Sequence, residues 1–352
     1  MIPWLRSPSA SCAVLFVAAG LTASCQSGEA PEAGEVPGLD LITAEGIREV
    51  TRTLSSDEFE GRGPSSPGEE RTVAYLTEQF QAAGLQPGNG DSWTQDVPLV
   101  SITVEGAPEA RITSAGESRS WAWQEDYVAW TKRVVPSVNL TASDLVFVGY
   151  GIVAPEYGWD DYAGVDVEGK TVLILVNDPG YATQDADVFN GNAMTYYGRW
   201  TYKFEEAARQ GAAGALVIHE TGPAGYPWEV VASSWTGPQF GLAAADDNMG
   251  RVELEGWITQ DAARDLFASG GHDLAALSRA ASEGSRSPLA LGATLTVAFQ
   301  NQVSRSDSKN VVGLIPGTTR PDETIVYMAH WDHFGRGPDT LEDPIYNGAF
   351  DN

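Results

Sequence analysis

The run Gly169-Lys170-Thr171-Val172-Leu173-Ile174-Leu175-Val176-Asn177 limits the possible folds more than any other part of this chain. It is apolar without interruption and β-branched at several positions, and it reads as a buried strand. Leu145 to Ile152 is an earlier strand with glycine breaks, and the turn-rich polar loop Pro155 to Tyr162 lies between the two. A helix predicted over Trp200 to Gln210 stops at Gly211 and leads into a strand at Ala215-Leu216-Val217-Ile218. Trp257-Ile258-Thr259 and a helix over Gln260 to Ala268 close the series. Strand, loop, strand, helix, strand in this order predicts an α/β architecture.

Upstream, Thr43 to Leu54 reads as a helix with Thr43 as its cap and Ile47, Val50 and Leu54 on one face. A stronger helix runs from Glu69 to Ala83, with Val73, Leu76, Phe80 and Ala83 as its apolar stripe and Gly84 as its stop. Gln95 to Val104 is strand-like, and Arg111 to Val135 carries Trp121, Trp123 and Trp130, which read as core packing. Downstream, Pro288 to Phe299 alternates as a strand does, Gln300 to Ser308 reads as a polar connection, and Lys309 to Gly317 reads as another strand. Thr318 to Glu323 is then a short hairpin loop into a strand over Thr324 to Ala329.

A chain of 352 residues, 42% hydrophobic, accommodates about two domains. With 48 acidic against 21 basic residues its formal charge is −27, which repels DNA, RNA and anionic membranes and excludes them as partners. Both cysteines, Cys12 and Cys25, lie near the N-terminus, so the folded part has neither a disulfide framework nor a cysteine zinc site. Met1 to Ser24 reads as an export signal, because its apolar core from Cys12 to Leu21 is too short to span about 30 Å of hydrocarbon. Leu21-Thr22-Ala23-Ser24-Cys25 resembles a bacterial lipoprotein cleavage box with Cys25 as the lipidated residue, ordinary signal cleavage being the alternative. Gln26 to Asp40, rich in Gly, Pro, Ala and Glu, is a flexible tether. The localisation that follows is exported, in the cell envelope or periplasm with membrane contact only through a lipid anchor, or otherwise secreted.

Chemistry gathers near the C-terminus. His330 and Asp332, at i and i+2 after an apolar run, share one face of a strand end, and imidazole with carboxylate suits zinc. His330-x-Asp332-His333-x-Gly335, followed by Tyr346-Asn347-Gly348-Ala349-x-Asp351-Asn352, resembles the co-catalytic zinc aminopeptidases of the M28 metallopeptidase family. The resemblance implies that His330 ligates one zinc, that Asp332 is the catalytic-site carboxylate orienting it, and that Asp351 bridges two zincs. Leu54 to Arg62 with Gly68-Glu69 resembles the N-terminal segment of secreted M28 peptidases; read on its residues alone it is a surface ion-pair loop. The stretch after Asp144 resembles the protease-associated domain.

The implied fold is an α/β, mixed-sheet zinc-exopeptidase domain, incomplete here and interrupted by a protease-associated β/α insert. Its implied divisions are residues 1–24 as signal, 25–40 as tether, 41–140 and 300–352 as peptidase parts, and 141–299 as insert. The implied function is two-zinc hydrolysis of peptide substrates, an aminopeptidase before a carboxypeptidase or amide hydrolase. A non-catalytic envelope protein that binds through the insert is the reading from another class. The family's Glu-Glu pair, further acidic ligand and final His have no counterpart here, so the chain is expected to bind zinc weakly and not to turn over. His219 and His272 lack partners at ligand spacing and read as surface or capping residues, and no P-loop, Gly-x-Ser-x-Gly, His-Glu-x-x-His or EF-hand pattern occurs.

Overall fold

The computed structural model describes residues 38–285, 288–337 and 339–351. The segment expected to be an export signal, Cys25 and most of the expected tether lie outside the described residues. The chain divides into two units, Met1–Thr53 and Leu54–Asn352. The described part of the first is a short 3-10 turn, Leu39–Leu41, and most of α1 (Ala44–Leu54), whose Thr43 hydroxyl accepts from the Gly46 N–H at 3.0 Å. Ile47 and Val50 of α1 are exposed.

The second unit is built on one ten-stranded mixed sheet. Its strands are β1 (Thr94–Val104), β2 (Glu109–Ser114), β3 (Glu117–Trp121), β4 (Tyr127–Trp130), β5 (Ser137–Phe147), β6 (Thr171–Leu175), β7 (Gly214–His219), β8 (Gln239–Leu242), β9 (Leu254–Thr259) and β10 (Leu289–Val311). They pair in the order β8-β1-β10-β5-β6-β7-β9-β4, with β2 on β10 and β3 on β2. β5, β6, β7 and β9 run parallel, and the remaining pairings are antiparallel. The parallel centre is covered on both faces. Leu173, Leu175, Leu216 and Ile218 join one core cluster, while Val172, Ile174, Ala215 and Val217 join the other. That two-sided burial is why these strands read as unbroken apolar runs rather than as alternation.

Two of the helices begin at side-chain caps. α2 (Pro67–Ala82) starts at Ser66, whose hydroxyl accepts from the Glu69 N–H, with Pro67 in the first turn. α3 (Trp200–Arg209), α4 (Trp228–Ser234) and α5 (Gln260–Ser269) follow, α5 being capped by Thr259. Among the described residues no helix is long and apolar enough to cross a membrane.

Two sequence expectations fail. Gln300 to Ser308 is not a connection: β10 continues through it and pairs with β1 from Asn301↔Val104 to Val311↔Thr94. Its side chains are mostly exposed, so backbone pairing holds a strand whose composition is that of a loop. The division expected between residues 299 and 300 therefore falls inside one continuous strand. Conversely, Thr324 to Ala329 has strand composition and no strand. No neighbouring strand pairs with it, and Ile325, Val326, Tyr327 and Met328 are all exposed. β-propensity reflects fit to a partnered surface, and this run has no such partner among the described residues.

Candidate metal centre

The site is assembled from three short pieces of the second unit. The first is the 3-10 segment Asp57–Arg62, which turns through left-handed geometry at Glu60 and Gly61. The others are the loops around His330–Gly335 and Ile345–Asp351. Gly61 has φ +65°, and a Cβ there would stand 2.3 Å from the Gly335 carbonyl oxygen and 2.7 Å from that of Tyr346. Only glycine permits this approach, and the backbone uses it: Gly335 N–H donates to Gly61 C=O at 2.9 Å, and His333 N–H donates to Arg62 C=O at 3.1 Å.

Arg62 is the fastener. It is 1% exposed, and its guanidinium donates to four carbonyls: Trp331 at 2.8 Å, Leu54 at 2.6 Å, Asn347 at 2.9 Å and Gly348 at 3.2 Å. Burial lowers its pKa, and the nearby Asp332 and Asp351 carboxylates oppose that by favouring the cation. Asn347 adds amide bonds to Ser55 C=O and Asp57 Oδ1, both at 2.9 Å, and the Trp331 indole donates to Lys309 C=O at 3.0 Å. The Leu54–Arg62 segment, read from its own residues as a surface ion-pair loop, is thus an internal brace. The outward signal was weak, since an arginine among acids looks the same whether it binds their carboxylates or distant carbonyls.

These braces bring His330, His333 and Asp351 together. His330 Nε2 lies 3.6 Å from Asp351 Oδ1, and His333 Nε2 lies 3.8 Å from Asp351 Oδ2. His330 Nδ1 is 2.9 Å from the Asp332 backbone carbonyl, and His333 Nδ1 is 2.8 Å from the Tyr346 carbonyl. A carbonyl only accepts, so each Nδ1 carries the proton, and in the neutral rings each Nε2 turns its lone pair toward the Asp351 carboxylate. The Asp332 carboxylate is 3.6 Å from His330 Nδ1, so in this structure its main chain rather than its acid group orients the ring. The sequence motif assigns His333 no ligand role. The structure gives it the same carbonyl-fixed tautomer as His330, with a side chain only 11% exposed.

At 3.6 and 3.8 Å the two Nε2 atoms stand too far from the Asp351 carboxylate for a hydrogen bond. These separations are close to the edge of a tetrahedron, about 3.4 Å, on which two donors share one ion at about 2.1 Å each. Among the described residues no group of three or more His, Cys, Asp or Glu side chains is placed to hold a metal ion. What the structure brings together is two donor pairs, His330 with Asp351 and His333 with Asp351, each spaced near such an edge.

The remaining histidines diverge. His272 is partly exposed, in line with the surface reading. His219 is not at the surface: it ends the buried strand β7, is 3% exposed, packs on Tyr226, Trp228 and Trp257, and bonds the Tyr226 carbonyl through Nε2 at 3.0 Å. Burial lowers its pKa and keeps it neutral.

The loop pair presents two carbonyl-bonded imidazoles to one carboxylate. Residues 310–352, which contain all of it, match the model of peptidase family M28. The comparison with curated proteins gives no match. Among solved structures the chain is similar to an aminopeptidase from Aneurinibacillus sp. strain AM-1, at 21% identity over 80% of this chain and 50% of that one, TM-score 0.37. It is also similar to a peptidase M28 precursor from Shewanella amazonensis SB2B, at 14% identity over 88% and 61%, TM-score 0.34. A third is BSAP, a zinc aminopeptidase from Bacillus subtilis, at 16% identity over 88% and 54%, TM-score 0.28. The chain spans 50 to 61% of the length of these proteins.

Proposed function

We propose that this chain carries part of the active site of an exported zinc exopeptidase, acting as an aminopeptidase on peptide substrates. In this reading His330 and Asp351 would hold zinc, Asp351 being the carboxylate shared between two ions, and Asp332 would position His330. The observation that carries the proposal is the convergence of two imidazole Nε2 atoms on one carboxylate, at 3.6 and 3.8 Å. Bound zinc supplies an activated water near neutral pH and polarises a carbonyl. This chain's own residues do the holding: backbone carbonyls fix both imidazoles, and Arg62 ties the two loops that bear the donors. The general base and further ligands belong, in this reading, to sequence outside these 352 residues, and the protease-associated insert and Cys25 lipidation belong to the same proposal.

Zinc titration of the chain by calorimetry tests it. Weak binding is expected, and His330→Ala or Asp351→Ala should each lower affinity at least about tenfold. Binding unchanged in both variants would remove the metal assignment. The gene beyond residue 352 gives the second check. A Glu-Glu pair and a later His there, with chelator-sensitive hydrolysis of aminoacyl anilides by the extended product, favour the aminopeptidase. A stop codon or substituted ligands favour the binding protein.

A further inference from the structure

A cavity of about 440 Å³ lies in the second unit, and none of its lining residues belongs to the metal loops. It sits where the two ends of the sheet meet, because β8 and β4, the first and last strands of the order, both line it. Its walls are aromatic. Trp130 stacks flat on Trp235 at 3.5 Å between ring centres, and Trp200 meets Trp235 edge-on at 4.9 Å. Phe240 of β8 stands at the cavity and is 49% exposed. Lys132 is the one charged residue among those lining it.

The strand beside the cavity has a free edge. Ala243 N–H donates to Pro98 C=O at 2.9 Å, and β8 pairs with β1 as Leu242↔Leu99, Gly241↔Val100 and Phe240↔Ser101. Backbone groups alternate sides along an antiparallel pair, so Gly241 bonds inward to β1 while Phe240 and Leu242 direct their N–H and C=O outward. Among the described residues those outward groups meet no partner. Gly241 also has nothing within 4 Å of where a Cβ would stand, which leaves space directly over the strand at the cavity.

We infer that β8 and this cavity form a peptide-binding site: an extended segment adds as a further strand on the Phe240–Leu242 edge and places one large apolar side chain among Trp130, Trp200, Trp235 and Phe240. The main chain of the guest supplies hydrogen bonds and its side chain supplies selectivity, which is how strand addition recognises peptides. Lys132 favours a guest with a carboxylate next to the apolar residue, on a protein whose acidic surface otherwise repels one. The proposal requires binding without hydrolysis and is independent of the metal.

The probe is a fluorescein-labelled ten-residue peptide of Ser and Thr with a central Phe-Asp, blocked at both ends so that no exopeptidase can start on it. Anisotropy with the whole chain in chelator should show saturable binding, at least tenfold weaker when the Phe is Ala. Gly241→Leu, a substitution the backbone at 241 tolerates, should fill the space over the strand and weaken binding at least tenfold with its melting temperature retained. Hydrogen exchange of the unsubstituted protein should slow at Phe240 and Leu242 on adding the peptide. The inference is overturned if no binding is seen, if Gly241→Leu binds as well as the parent, or if N-acetyl-phenylalanine amide binds as tightly as the peptide, since the strand edge would then add nothing.

Discussion

Replacing Arg62 by alanine is expected to cost about 3 to 5 kcal/mol of unfolding free energy and to release both ligand-bearing loops. Four charge-assisted hydrogen bonds at about 1.5 to 3 kcal/mol each set an upper bound well above this, and water entering the vacated space recovers part of it by bonding the carbonyls left short of a donor. Arg62→Lys should recover little, because a single ammonium cannot span Leu54, Trp331, Asn347 and Gly348 at once. Urea denaturation measures the loss. Hydrogen exchange over 331–348 and zinc titration show whether the loops went with it. Full destabilisation with unchanged exchange in those loops would mean that Arg62 supports the fold and has no hold on the site.

The second large effect concerns Lys203 and pH. Lys203 in α3 is fully buried; its ammonium donates to the Tyr150 carbonyl at 2.6 Å and lies 5.8 Å from the centre of the Tyr150 ring. Burial lowers its pKa, with the Asp161 and Asp178 carboxylates opposing. Asp161, which accepts from Ile152 N–H at 3.0 Å and the Trp159 indole at 2.8 Å, is raised by burial in the same region. The signs follow from which state binds more protons. Between the lowered value of Lys203 and about 10.4 the unfolded chain is the more protonated, so stability rises with pH there. Between about 3.9 and the raised value of Asp161 the folded chain is the more protonated, so stability falls as pH rises through that window. Moving from pH 7 to 9 should therefore stabilise the protein by up to about 2 kcal/mol, at about 1.36 per pH unit, and Lys203→Met should abolish most of that slope. Parallel stability curves for the two proteins across this range would refute the assignment.

Much of the architecture was legible along the chain. The parallel strands β6, β7 and β9 and the helices α2, α3 and α5 lie where apolar runs, caps and glycine stops placed them, to within a few residues. Two-sided burial writes a strong signal into composition, and so does a helix cap. The errors came where pairing and composition disagree. Residues 300–308 look like a loop and form a strand because β1 supplies a ladder, whereas 324–329 look like a strand and stay unpaired. The candidate site was legible in its donor types and order, His330, Asp332 and Asp351. It was not legible in its supports: Arg62 reaches carbonyls almost 270 or more positions away, and no local pattern encodes such a bond.

The residue order alone thus determined an acidic α/β chain with its chemistry near residue 330 and a family signature carried by one short segment. Only the tertiary structure decided that His333 stands beside His330, that main-chain oxygens rather than the Asp332 carboxylate lock both rings, and that a buried arginine holds the loops together. The physical reason is range. Strand and helix propensities are settled by neighbours a few positions apart, whereas the His333 ring is fixed by the Tyr346 carbonyl in the other loop and the Arg62 guanidinium by carbonyls of Trp331, Asn347 and Gly348, which only the fold brings to it.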